Sequence, residues 1–102
     1  MIFVIATIEI ADGKRDAFLA EFRKIMPTVQ AEEGCIEYGP TIDVAANIPR
    51  QEPLRENVAV IVEKWASLPA LQSHLQAPHM LEYRERVKDL VKSVKLQILA
   101  PA

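Results

Sequence analysis

The chain has 102 residues and a formal net charge of −2, a length suited to one domain, 1–102. Its 12 Lys and Arg are scattered among 14 Asp and Glu, so the basic stripe of a nucleic-acid binder is absent. A single cysteine, Cys35, excludes an intrachain disulfide and suits a reducing compartment.

The opening run Met1-Ile2-Phe3-Val4-Ile5 is apolar. It has no basic region before it and is too short to cross a bilayer, which takes about 20 residues. The expectation is a cytoplasmic protein with no membrane partner. Residues 2–10 are rich in β-branched side chains and predict a strand. Asp12-Gly13 breaks it, and Asp12 is placed to cap the helix that follows. From 14 to 33, Phe18, Phe22, Ile25 and Val29 recur at helical spacing, with Leu19 and Met26 on the flank. Pro27 predicts a kink or break near residues 23–26, and Gly34 is the natural stop.

Residues 35–45 predict a second strand, with Gly39-Pro40 as a bulge or edge feature. Asn47 to Arg55 carries Pro49 and Pro53 and reads as a long loop, either a gate or a plain connector. Residues 56–66 predict a third strand. Ser67 can cap a short helix over 68–76. Pro78 suits the first turn of a last helix, with Met80, Tyr83, Val87, Leu90 and Val91 on one face. Residues 93–99 predict a final strand. The order is that of an α+β, ferredoxin-like βαββαβ sandwich, a four-stranded antiparallel sheet with helices on one face.

The strands are apolar on both sides. Ile2, Val4, Ile8 and Ile10 lie opposite Phe3 and Ile5, and Val58, Val60 and Val62 lie opposite Ala59, Ile61 and Trp65. Apolar burial is worth roughly 25 cal/mol per Å², against a net stability of roughly 5–15 kcal/mol. A bare second face would forfeit a large share of that. The simplest cover is a second copy, giving a barrel-like homodimer.

Few groups carry chemistry. Glu63 sits within an apolar strand, either in an ion pair at a sheet edge or as a polar group inside a cavity with a raised pKa. His74 lies near the sheet-facing side of the short helix, and His79 lies in the first turn of the last one. Each is either a capping or surface residue or a neutral base. The two histidines are separated by Pro78 and match no HxxxH or HExxH pattern, so no metal site is expected. With only three glycines there is no phosphate loop, and there is no nucleophile elbow. Cys35 reads as a small hydrophobe.

Taken in order, Gly34-Cys35-Ile36-Glu37-Tyr38, Glu63-Lys64-Trp65, Leu71 to Leu75 with His74, and Pro78-His79-Met80 resemble the antibiotic biosynthesis monooxygenase domain. More narrowly, they resemble its quinol monooxygenase branch. The resemblance implies a dimeric α+β barrel with a small apolar pocket between sheet and helices. It also implies that O2 oxidises a quinol-like or polyphenolic substrate without flavin, haem or metal. On that basis His74 or His79 is the expected base, with Glu63 and Tyr38 assisting. Tyr38, Trp65, Met80 and Tyr83 are the expected substrate-binding set. Haem-degrading enzymes of the same fold keep an Asn on the first strand and a haem-ligand His on the last helix. Thr7 and Arg84 stand near those positions here, which argues against haem degradation. Two other readings stay open: a non-catalytic small-molecule-binding or stress-response dimer, and an isomerase or lyase using a His base without O2.

Overall fold

The computed structural model describes residues 1–102. Its elements are β1 (Ile2–Ile10), α1 (Arg15–Gln30), β2 (Cys35–Thr41), β3 (Val58–Trp65), α2 (Leu68–Leu75), α3 (Pro78–Val87) and β4 (Val91–Leu99). Neighbouring strands are antiparallel, in the order β2-β3-β1-β4. This is the expected ferredoxin-like βαββαβ arrangement, with the second helical crossover split into two pieces.

The two central strands show why the sheet forms where it does. Alternate residues Val4, Ala6, Ile8 and Ile10 of β1 are buried under the helices, and so are Ala59, Ile61, Glu63 and Trp65 of β3. From above, α1 drives Phe18, Leu19, Phe22, Ile25 and Val29 onto them. Each large side chain closed off this way contributes about 1.5–3 kcal/mol. No helix is long and apolar enough to cross a membrane.

The structure departs from the sequence expectations at several points. Asp12 does not cap α1: its Oδ1 accepts from Asn57 Nδ2 at 3.3 Å and from Lys92 Nζ at 3.4 Å. The helix starts after Lys14 with no side-chain cap. The chain turns instead at Gly13, with φ of 73°, whose N–H donates to Asn57 Oδ1. Nor does Pro27 break α1, which runs on to Gln30. Proline removes one donor there, but Ile25 and Val29 on either side are both locked into the core, and the Pro27 carbonyl still accepts from Ala31 N–H at 3.1 Å.

β2 ends at Thr41, short of the expected 45, and lies at the sheet edge. Its bulge is not at Gly39-Pro40 but between Cys35 and Glu37, where the register against β3 shifts. Cys35 pairs with Trp65, and after the extra residue Ile36, Tyr38 pairs with Glu63. The long connection to β3 is held by Arg55, whose Nε and Nη2 bind the two Asp43 oxygens at 2.9 Å.

Two apolar surfaces stay open. On the side of the sheet away from the helices, Phe3, Ile5 and Thr7 pair with Lys64, Val62 and Val60, and no element of this chain covers them. On the helix side, Val94, Leu96 and Ile98 of β4 stand beside Ile8, Ala6 and Val4. They remain 43–54% exposed, because the helices lean over the other three strands.

Candidate active site

Between sheet and helices lies a cavity of about 410 Å³. Thirteen of its seventeen lining residues are hydrophobic, so it suits an apolar guest. Ala6, Ile8 and Ile61 form its floor, Phe18 and Phe22 of α1 one wall, and Met80, Tyr83 and Val87 of α3 another. The exposed rim carries Arg84 on α3, Lys88 just past its end, and Val94 and Leu96 on β4. The walls are largely aromatic. Phe22 stacks on Tyr38 at 5.2 Å between centroids and meets Tyr83 edge-on at 6.1 Å.

Strand pairing brings two polar groups in side by side. Glu63 and Tyr38 are cross-strand partners, and both point toward the helices. Glu63 is only 6% exposed. It forms no ion pair; Trp65 Nε1 donates to its Oε1 at 2.9 Å. Burial pushes its carboxyl up to about 7, more than the indole N–H pulls it down, and the charge of Glu32 adds to the rise. Near neutral pH this group can hold a proton or give it up. Burial also pushes the Tyr38 and Tyr83 phenols well above their ordinary values, so both stay protonated and can donate.

Ser67 caps α2 as expected, accepting from Ala70 N–H at 3.2 Å. That start sets the phase which turns Leu71 and His74 inward. His74 is 1% exposed. Its ring lies 4.6 Å from the Trp65 ring and 5.4 Å from Tyr38. Its Nδ1 is 2.9 Å from Glu32 Oε2. Burial holds the imidazole below its usual pKa, against the pull of Glu32. The ring is therefore neutral at pH 7. Every fully buried side-chain polar atom has a partner. Glu63 Oε2, His74 Nε2 and Tyr38 Oη bond to no group of the chain, and all three residues line the cavity.

Of the residues singled out from sequence, Tyr38, Glu63, His74, Met80 and Tyr83 line the cavity. Trp65 does not. It is fully buried behind the wall, where it holds Glu63 and packs on His74. His79 also stays outside, its Nε2 2.8 Å from the same Glu32 oxygen that meets His74. Thr7 points to the open side of the sheet, and its neighbour Ala6 faces the cavity instead. The loop over 42–57 contributes no lining residue. Cys35 is half-buried at the start of β2, with its thiol pKa raised by burial, which does not favour a nucleophile.

Sequence reasoning missed Glu32 and the rim cations Arg84 and Lys88. Nothing local separates Glu32 from Glu33; only the turn at Gly34 and the positions of α2 and α3 do. No group of three or more His, Cys, Asp or Glu is arranged to hold a metal ion.

Comparison with known proteins matches this architecture. Residues 1–86 fit the family model described as "Antibiotic biosynthesis monooxygenase". The chain is 43% identical over 103 aligned positions to "Probable quinol monooxygenase YgiN" of Escherichia coli (strain K12), covering 99% of this chain and 98% of that one. Among solved structures it is similar to PA3566 from Pseudomonas aeruginosa, with a TM-score of 0.79 and 27% identity over 99% of this chain and 93% of that one. Rv0793 from Mycobacterium tuberculosis aligns with a TM-score of 0.78 and 28% identity over 99% and 94% of the two chains. The chain belongs to the antibiotic biosynthesis monooxygenase family.

Proposed function

We propose that this protein is a cofactor-free monooxygenase that oxidises a small quinol-like or polyphenolic aromatic with O2. One observation carries the reading: an apolar, aromatic-walled cavity into which a neutral imidazole, a carboxyl poised near neutrality and a phenol open together. The likeness to a relative named for quinol oxidation supports it.

The chemistry asks little of the protein. His74 Nε2 takes a proton from a ring hydroxyl, and the resulting phenolate is electron-rich enough to reduce O2 by one electron. The radical pair joins as a ring hydroperoxide, which loses water. One oxygen atom stays on the product and the other leaves as water, so no outside reductant is needed. Glu63 exchanges the second proton, Tyr38 donates to developing oxyanions, and the apolar walls keep water from the intermediate. The open sheet face supports pairing of two copies through Phe3, Ile5, Val60 and Val62, which would close the underside of each sheet.

Oxygen uptake with a panel of hydroquinones tests the activity. The expected result is one O2 consumed per quinol, with His74→Ala slower by roughly 10²–10⁴-fold. Binding of the same quinols without any uptake would favour a non-catalytic binding dimer instead.

A further inference from the structure

We propose that Glu32 is a positioning residue that holds His74 in the tautomer with hydrogen on Nδ1, leaving the Nε2 lone pair open to the cavity, and that His79 holds Glu32 to that task. The inference deepens the reading of His74 as the base and rests on it for its catalytic consequence.

The geometry is specific. A single oxygen, Glu32 Oε2, meets His74 Nδ1 at 2.9 Å and His79 Nε2 at 2.8 Å. An ionised carboxylate can only accept, so each of those nitrogens must carry its hydrogen. Both separations are those of charge-assisted bonds. A neutral imidazole with hydrogen on Nδ1 has its lone pair on Nε2, the ring nitrogen that no group of the chain occupies on this cavity-lining residue. An unrestrained neutral histidine favours the opposite tautomer, which would present a donor where the reaction needs an acceptor. Once Nε2 takes the proton, the charge on Glu32 also stabilises the imidazolium.

The backbone builds this contact. Glu32 N–H donates to Val29 carbonyl at 2.9 Å, and the Glu32 carbonyl accepts from Cys35 N–H at 3.1 Å, so the turn after α1 is fixed at both ends. Gly34, at φ of 84°, presses that turn against α2, where a Cβ would come within 2.5 Å of Ala70 Cβ. His74 lies one helical turn beyond Ala70, on the same face. Across Pro78, α3 supplies His79 from the other side. The charged or titratable groups facing His74 are Glu32 from the turn, His79 and Arg84 from α3, and Tyr38 from β2, its ring 5.4 Å away. Only Glu32 is hydrogen-bonded to the His74 ring.

The tautomer shows whether Glu32 sets the ring, and the split between kcat and KM shows whether that setting serves the reaction, because a clasp that only holds the fold together would not lower kcat selectively. Nitrogen-15 histidine spectra of the whole protein at pH 8 should show His74 with hydrogen on Nδ1. In Glu32→Ala the hydrogen should move to Nε2, and kcat for quinol-driven oxygen uptake should fall roughly 10²-fold, with KM changing far less. Glu32→Gln, whose amide oxygen can still accept from Nδ1–H, should keep the tautomer and recover part of the rate. His79→Ala should give an intermediate loss. Wild-type His74 with its hydrogen on Nε2, or an unchanged tautomer in Glu32→Ala, overturns the proposal. If the tautomer behaves as stated but no quinol drives oxygen uptake, the positioning role stands and the monooxygenase reading falls.

Discussion

Trp65 donates its indole N–H to Glu63 Oε1 at 2.9 Å, two residues away on one strand, with both side chains closed off from solvent. One donor is too little to offset the lost hydration of a carboxylate, so the carboxyl rises to about 7. Trp65→Phe removes the only influence that lowers it, and the Glu63 pKa should climb further. A carbon-13 carboxyl titration reads this directly. A pKa that stays put or drops would mean that the indole does not stabilise the charge.

The same carboxyl shapes the stability curve. Its folded pKa, about 7, lies above the ordinary 4.5, so between those values the folded state binds more protons than the unfolded chain. Stability from this group is present below about 4.5 and is lost as pH rises toward about 7. The loss is on the order of 3 kcal/mol. Glu63→Gln should flatten that slope and be more stable than wild type at pH 8. Urea melts across the range decide it.

His74 shifts the other way. Burial lowers it below 6.5, so it stays neutral and basic into mildly acidic solution. With Glu63→Gln as background, to remove the other titrating group, the acid limb of kcat/KM should fall below pH 6.5. A limb above that value would rule out His74 as the base.

Gly34→Ala should destabilise the fold by about 1–3 kcal/mol. The added Cβ meets Ala70 Cβ, and φ is 84°. Adding Ala70→Gly should recover the part due to the clash and leave the part due to the backbone. Denaturant midpoints of the two single variants and the double variant separate the contributions.

Ile5→Lys places a charge in the middle of the open sheet face. If two copies pair there, sedimentation should show a dimer for wild type and a monomer for the variant. A wild-type monomer would remove the pairing.

Much of this fold can be read from periodicity. The strand alternation of β1 and β3 and the stripe on α1 are strong, repeated signals. Tyr38, Glu63 and His74 converge because two strand phases and one helix phase coincide, which strand alternation and the Ser67 cap make legible. Other features are tertiary. Trp65 looks like a pocket wall until its strand is seen to end beneath α2. His79 and Glu32 meet only because the turn at Gly34 folds against α2 and α3. Asp12 sits where a cap belongs, but Asn57, just before β3, and Lys92 of β4 bond to it instead. The site of the bulge was hidden because Gly39-Pro40 is the louder irregularity, while the register actually shifts at Ile36.

That added residue fixes a parity. Were β2 to pair regularly from Cys35, Ile36 would take the place opposite Lys64, Glu37 would meet Glu63 and Tyr38 would turn to the far side, setting two acids against each other in a greasy chamber. Length changes in the loop over 42–57 carry no such penalty, because a long connector absorbs them before β3 begins. Homologues should therefore vary in length between β2 and β3 and keep the residue at position 38 in phase with Glu63.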